Sequence, residues 1–154
     1  MEVGVRRAWG VLERGLDMAY WLFKSEPEAY SWDELVAEGS DTWDGGRNHQ
    51  AANNMKAMKR GDRAFFYHSG KTREIVGVVE VVKEYYPDHT DPSGRFGMVD
   101  IAAVKPLERP VTLSAVKADE RLHDLALVRH SRLSVMPVGD EHWAFLCAMG
   151  GIAP

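Results

Sequence analysis

The chain alternates short apolar segments with polar turns, which is the pattern of short strands and helices rather than of long ones. Six segments have an apolar or extended pattern that predicts strands. They are residues 20–24, 42–44, 62–68, 75–84, 98–107 and 132–138. Between the third and the fourth of these segments, Ser69-Gly70-Lys71-Thr72 predicts a hairpin loop.

Helices are predicted where a capping residue precedes apolar positions spaced three or four apart. Ser31 is a good N-cap, with Glu34 at the capping-box position and Gly39 as the stop, and Asn48 and Asp140 predict two further helix starts. The predicted helices span residues 31–36, 48–58, 112–118, 122–128 and 140–149. Because strands and helices do not alternate regularly, we expect an α+β fold, a mixed β-barrel of five to six strands with flanking helices.

One domain accounts for most of the chain. A length of 154 residues suits a single domain with a buried core. We expect the domain to span residues 18–150, with 151–154 as a tail and 1–17 as an N-terminal extension or short amphipathic helix. Acidic residues interrupt the apolar region that a secretory signal in 1–17 would need. Cys147 is the only cysteine, and no apolar stretch is long enough to cross a membrane, so we expect a cytoplasmic protein.

Charge is distributed unevenly along the chain. The net charge of −4 argues against a generally basic nucleic-acid binder, yet residues 44–73 hold seven basic and two acidic residues. A local basic zone of this kind can hold phosphate, although a solvated helix face would look the same. A second cationic cluster opens the last predicted strand. The candidate phosphate-binding residues are Arg47, Lys56, Lys59, Arg60 and Arg132.

The segment Trp43-Asp44-Gly45-Gly46-Arg47-Asn48 places an aromatic ring beside small polar and cationic groups. A nucleobase needs a ring to stack on and donors and acceptors for its edge. Trp43 can supply the ring, and Asp44 can accept from an exocyclic amine, as carboxylates do with cytosine. The same residues also fit a core tryptophan beside a capped turn.

Other candidates lie near the ends of predicted strands, where side chains reach the mouth of a barrel. His68 also fits a structural histidine at the barrel rim, and either Tyr85 or Tyr86 could pack on Pro87 instead of on a base. The candidate nucleobase-binding residues are Trp43, Asp44, Lys24, Ser25, Asn48, Tyr67, His68, Ser69, Tyr85, Tyr86 and Ser134.

Signatures of catalysis are missing from the sequence. It contains no nucleophile elbow, phosphate-binding P-loop, zinc-type Cys/His spacing or dinucleotide fingerprint, so we expect no cofactor and no metal. This favours binding over catalysis. Two alternatives remain: an enzyme that acts on a modified nucleotide or RNA with His68 as acid or base, and a protein-interaction domain.

Several short segments, in this order and spacing, resemble the EVE domain, a member of the PUA-like superfamily. They are Trp21-Leu22-Phe23-Lys24-Ser25-Glu26-Pro27, Trp43-Asp44-Gly45, Arg47-Asn48, Phe66-Tyr67-His68-Ser69, Ile75-Val76-Gly77, Pro110-Val111-Thr112-Leu113 and Arg132-Leu133-Ser134-Val135. The resemblance extends from Met18 to about Met149. It implies a PUA-like β-barrel whose pocket reads a modified nucleobase: a modified cytosine in DNA, or a modified base in RNA.

The resemblance also suggests a role for Trp43. The related YTH domain reads methylated adenine with an aromatic cage, and Trp43 falls where one wall of that cage would lie. The chain departs from the family pattern at Gly46, where Val is usual, and at His49, where Tyr is common. These two changes are expected to loosen the turn beside the pocket.

Overall fold

The computed structural model describes residues 18–44 and 48–154. The expected extension at 1–17 lies outside the described residues. The same is true of Gly45, Gly46 and Arg47, so the predicted phosphate contact of Arg47 stays a prediction. The domain limits that we drew from the sequence likewise stay an expectation.

Within the described residues, six strands form one mixed sheet. They are β1 (Tyr20–Ser25), β2 (Ser40–Trp43), β3 (Arg63–His68), β4 (Glu74–Pro87), β5 (Gly97–Thr112) and β6 (Val135–Val138). Their order across the sheet is β2-β5-β4-β3-β1-β6. Strands β1 and β3 run parallel, with Lys24 opposite Tyr67, and the other neighbouring pairs are antiparallel. Strand β1 therefore lies between β3 and the late strand β6.

The sheet curls so that β2, at one edge, comes close to β1 and β3 near the other edge. Trp43, at the end of β2, lies 5.6 Å from Phe23 of β1 and 5.8 Å from Phe66 of β3, measured between ring centroids. Strands β5 and β4 separate β2 from β3 in the sheet, so a flat sheet could not bring these rings together. Register shifts along the β4–β5 pair mark bulges or irregularities, and bulges of this kind bend strands. The α+β, PUA-like fold predicted from the sequence is confirmed.

Five α-helices flank the sheet in the described part of the chain. They are α1 (Trp32–Glu38), α2 (His49–Ala57), α3 (Leu113–Ala118), α4 (Ala126–Arg129) and α5 (Asp140–Met149), with a 3₁₀ turn at Glu120–Leu122. The predicted capping box is present at α1, where Ser31 and Glu34 satisfy each other's backbone N–H groups. Asn48 caps α2 as predicted, whereas Asp140 is the first residue of α5 and Gly139 occupies the cap position.

Several strand limits differ from the prediction: β2 begins at Ser40 instead of residue 42, and β4 continues to Pro87 instead of ending at residue 84. Strand β5 continues past Leu107 to Thr112, through Pro106 and Pro110. Strand β2 pairs only with Val99–Ala102, so the rest of β5 has one side without a ladder partner, where proline removes no hydrogen bond. Strand β6 begins at Val135 instead of residue 132, because the residues before it form a turn.

Aromatic side chains dominate the core. Phe23, Phe65 and Phe66 are fully buried. At the end of the barrel where β1 begins, Trp143 of α5 stacks between Tyr20 and Phe65, with ring centroids 4.2 and 4.0 Å away.

In the described residues, no helix combines the length and the apolar character that a membrane crossing requires.

Candidate nucleobase-binding site

A pocket of about 400 Å³ opens beside the ends of β1 and β2. Its size falls within the range of roughly 300–1,000 Å³ that is common for small-molecule sites. The lining residues are Lys24, Tyr30, Asp41, Thr42, Trp43, Asp44 and Ser134. Four of the residues predicted from the sequence therefore lie together here: Lys24, Trp43, Asp44 and Ser134. We call this cavity the base pocket.

Trp43 connects the base pocket to the core. Its indole is partly buried, meets Phe23 and Phe66 edge to face, and also contributes to the pocket lining. The two phenylalanine rings fix the orientation of the indole. Its Nε1 atom is buried and finds no hydrogen-bond partner among the residues that the structure describes. The indole thus has an anchored side and a side that borders the cavity.

Tyr30 supplies a second aromatic ring to the pocket lining, and the sequence analysis missed it. Its hydroxyl donates a hydrogen bond to Oε1 of Glu38 at 2.7 Å. Burial, together with Glu38 and Asp41, raises the pKa of Tyr30 well above its usual value, so the phenol stays protonated. The hydroxyl of Ser25, which is 6% exposed, donates to the Tyr30 carbonyl oxygen at 2.5 Å. Ser25 therefore positions the backbone of Tyr30 and is not itself part of the lining.

Charged groups of both signs line the base pocket. Asp41 and Asp44 contribute carboxylates, and Oδ1 of Asp41 accepts from the backbone N–H of Thr42 at 2.7 Å. Lys24 contributes an ammonium group, which donates to the Ser131 carbonyl oxygen at 2.8 Å. Burial lowers the pKa of Lys24 from its usual value. The pocket thus offers both acceptors and a donor, which suits a ring whose edge carries an amine and an acceptor.

His68 has a structural partner. The backbone N–H of Trp32, at the start of α1, donates to Nε2 of His68 at 3.0 Å. Burial lowers the pKa of His68, against opposing effects of Glu74 and Asp33, and this favours the neutral ring. With Nε2 as the acceptor, the proton of the neutral ring sits on Nδ1. The imidazole therefore satisfies one of the free N–H groups of the helix start.

Two other candidates line a neighbouring cavity of about 250 Å³, which shares Lys24 with the base pocket. Tyr67 is 2% exposed, and its ring centroid lies 5.9 Å from Nζ of Lys24. Ser69 donates its backbone N–H to the carbonyl oxygen of Ser25 at 2.9 Å. These two residues therefore lie beside the base pocket and outside its lining.

The remaining candidates lie elsewhere. Asn48 caps α2 through Oδ1, which accepts from Ala51 N at 2.8 Å, and it lines another cavity together with Arg132. The Tyr85 ring lies 5.6 Å from Nζ of Lys56. The Tyr86 hydroxyl donates to Asp100 at 2.6 Å, and burial together with this carboxylate raises its pKa to about 12.

Lys59 and Arg60, which follow α2 within the basic zone, are exposed. Their backbone N–H groups donate to carboxylates of Asp62 and Glu84, each at 3.0 Å. None of the predicted phosphate-binding residues within the described ranges lines the base pocket.

A signal for one missed residue was present in the sequence. Asp41 lies two positions before Trp43 in β2, and residues at this spacing share a face of a strand. Tyr30 immediately precedes the helix cap Ser31, and nothing local distinguishes it from an ordinary loop residue. Its place in the pocket depends on the path of the loop between β1 and α1.

A mixed sheet curled around an aromatic core, with helices outside and a pocket at the rim, defines a PUA-like module. Comparison with known proteins is more specific. The EVE domain model matches residues 19–149, and the chain belongs to that family. It is 37% identical to thymocyte nuclear protein 1 of Rattus norvegicus over an alignment 169 positions long, which covers 88% of this chain and 75% of that protein.

Solved structures agree with this assignment. The chain is similar to Rpa0253 from Rhodopseudomonas palustris, with 58% identity, a TM-score of 0.83, and coverage of 87% of this chain and 94% of that one. It is also similar to the human THYN1 protein in complex with DNA that contains 5-methylcytosine, with 34% identity, a TM-score of 0.82, and coverage of 88% and 99%. A YTH domain from Zygosaccharomyces rouxii, at 14% identity and a TM-score of 0.54, shares the fold alone.

Proposed function

We propose that this chain binds nucleic acid without catalysis and reads one modified base, taken out of its stack, in the base pocket. The favoured ligand is a modified cytosine in DNA, and a modified RNA base is the related possibility that the same chemistry would serve. The proposal draws support from the human THYN1 protein, a similar structure in complex with DNA containing 5-methylcytosine.

One observation carries the proposal: an anchored indole, two carboxylates and an ammonium group surround a single cavity. Stacking on Trp43 would contribute about 1–3 kcal/mol, against a cost of a few kcal/mol for unstacking the base. Asp41 or Asp44 can accept from the exocyclic amine of cytosine, and Lys24 can donate to a ring acceptor. A thymine would present an oxygen to the same carboxylates and would be disfavoured.

A methyl group adds little to this balance. Burying one methyl contributes about 0.8 kcal/mol, roughly a fourfold change in affinity. We therefore expect the base edge to provide most of the discrimination between bases, and the methyl group to provide a modest preference for 5-methylcytosine over cytosine.

Flanking phosphates would bind basic residues outside the base pocket. Lys56, Lys59 and Arg60 lie on or just after α2, and Arg132 precedes β6. We propose that these side chains, together with Arg47, contact the backbone, which predicts an affinity that falls as salt rises. The hydrogen bond from Trp32 N to Nε2 of His68 supports binding over acid–base catalysis, because it already uses the atom that would take up a proton.

Trp43→Leu tests the proposal directly. Leucine keeps apolar contact with Phe23 and Phe66 but removes the flat surface for stacking. Fluorescence anisotropy would compare short strands that carry one 5-methylcytosine, cytosine or thymine. We expect Trp43→Leu to weaken binding of the 5-methylcytosine strand by about tenfold and to abolish the preference for it.

Trp143→Phe is the matched control, since it removes an indole from the stack at the other end of β1. It should preserve the preference, and thermal unfolding would establish that both variants are folded. The proposal fails if Trp43→Leu binds with unchanged selectivity. It also fails if the wild-type chain prefers no modified base.

A further inference from the structure

A second polar cavity lies between the β3–β4 loop and the start of α3. It measures about 320 Å³, and three of its lining residues are basic: Lys71, Arg73 and Lys117. Thr72 and Ser114 add hydroxyl groups to the lining. We call this cavity the cationic groove. Lys71 and Arg73 belong to the basic zone at residues 44–73 that the sequence indicated, but neither was among the candidate phosphate-binding residues.

The cationic groove reaches the base pocket through the neighbouring cavity of about 250 Å³. That cavity shares Arg73 and Lys117 with the groove, and it shares Lys24 with the base pocket. Because they share lining residues, the three cavities lie next to one another and outline a path along the surface. A chain of phosphates could follow this path while a base attached to it occupied the pocket.

The basic side chains of the groove lack carboxylate partners among the described residues. Lys71, Arg73 and Lys117 form no ion pair with any described Asp or Glu. Four of the seven other described arginines do, since Arg63, Arg109, Arg121 and Arg129 each pair with a nearby carboxylate. No described acidic residue lines the groove or the cavity that joins it to the pocket. Like charges gathered without counter-charges favour an anionic ligand.

The backbone holds Arg73 in an uncommon conformation. Its φ angle is 48°, the only positive value at a non-glycine residue in the described chain. Its carbonyl oxygen accepts from the N–H of Leu113 at 2.9 Å, which ties the loop to the start of α3. Arg73 also lies close enough to Tyr67 to oppose the rise in the tyrosine's pKa that burial causes. These contacts hold Arg73, in the β3–β4 loop, beside the groove.

We propose that the cationic groove binds the phosphates of the nucleic-acid strand that run from the base held in the pocket. This inference rests on the proposed function for its ligand. It identifies Lys71, Arg73 and Lys117 as backbone contacts, and it gives the strand a direction away from Lys24, along the β3–β4 loop. Because these contacts involve phosphate, they are independent of base identity.

The test removes charge from the groove and compares two ligands. The variants are Lys71→Ala/Lys117→Ala, alone and combined with Arg73→Gly, since glycine adopts a positive φ without strain. The control, Lys105→Ala/Arg109→Ala, removes the same charge from residues that do not line the groove. The ligands are a short single strand with one 5-methylcytosine, titrated over a range of salt, and the free nucleoside 5-methyl-2′-deoxycytidine, followed by NMR.

Each lost phosphate contact should make the negative slope of log K against log salt shallower by about 0.7. It should also weaken strand binding about fivefold at 0.1 M salt. The double variant should therefore lose about 25-fold. Plain and modified strands should weaken equally, nucleoside binding should stay the same, and the control should bind as the wild type does.

The two proposals can fail separately. An unchanged salt slope in the groove variants, with normal nucleoside binding, would overturn the groove and leave the proposed function intact. If the wild-type chain does not bind the nucleoside, while the groove variants still lose affinity for the strand, the proposed base pocket is overturned and the proposed groove is supported. Equal losses in the control and groove variants would show a general field effect and overturn the groove.

Discussion

The indole of Trp32 lies against the backbone of Gly77 so closely that a Cβ atom at Gly77 would stand 2.4 Å from its Cη2 atom. On the sheet, the same indole lies 5.7 Å from the ring of Phe66, centroid to centroid. Gly77 is in the interior of β4, where a glycine ordinarily weakens a strand. The contact explains it, because helix α1 docks onto the sheet through a side chain that needs bare backbone beneath it.

We expect Gly77→Ala to lower the free energy of unfolding by about 1–3 kcal/mol, because the new methyl group overlaps the Trp32 ring. Urea denaturation would measure the loss. Adding Trp32→Leu should recover part of it, since the smaller side chain makes room, and this gives a coupling energy above about 0.5 kcal/mol in a double-mutant cycle. Purely additive losses would mean that the ring and the glycine do not constrain each other.

His68 should make the stability of the protein depend on pH. Burial lowers its pKa in the folded state below the ordinary value of about 6.5 that holds in the unfolded chain. The neutral ring is therefore favoured by folding, so its contribution is complete above about pH 6.5 and is lost as the pH falls toward the folded pKa. Protonation of Nε2 would also remove the acceptor for Trp32 N.

His68→Gln would test this dependence, because a glutamine oxygen can still accept from Trp32 N but does not titrate. Between pH 7.5 and 5, the melting temperature of the variant should fall less than that of the wild type. His89→Gln, at an exposed histidine, is the control and should follow the wild-type profile. If His68→Gln shows the same pH profile as the wild type, His68 does not titrate within this range.

Asp44→Asn should relax base selection. A carboxylate only accepts, so it favours a base with an exocyclic amine, whereas an amide can also donate to the oxygen of thymine. We expect the preference for 5-methylcytosine over thymine in matched strands to drop by about fivefold, or roughly 1 kcal/mol. Asp124→Asn removes the same charge at an exposed carboxylate paired with Arg129 and should leave the preference unchanged. A preference retained in Asp44→Asn would exclude Asp44 from the base edge.

Local chemistry explains what the sequence could predict. Ser31 with Glu34, and Asn48, have capping patterns within a few residues, and each begins a helix where expected. The predicted end of β5 at residue 107 stops short of Pro110, since a proline usually ends a strand or is confined to a sheet edge. Whether a proline is tolerated depends on the side of the strand that has a partner, and the short β2 strand leaves that side open.

The candidate site was harder to predict because its residues are distant in sequence. Trp43, Lys24 and Ser134 line one pocket. Tyr85 and Tyr86, which the sequence also suggested as a wall, lie on β4 beside Lys56 and Asp100. Tyr30 also lines the pocket, and a hydrogen bond from Ser25 to its carbonyl oxygen positions its backbone there. No local sequence pattern encodes such a contact.

The hydrogen bond from Lys24 to the Ser131 carbonyl oxygen joins residues 107 positions apart. Strand β1, which carries Lys24, also needs β6 as its neighbour on one side. During synthesis, nearly the whole domain must therefore leave the ribosome before the Lys24 side of the base pocket can form, since long-range pairings form only after both partners are available. The base pocket therefore forms late in folding. A nascent chain that ends before β6 would lack the strand that pairs with β1, and its pocket would be incomplete.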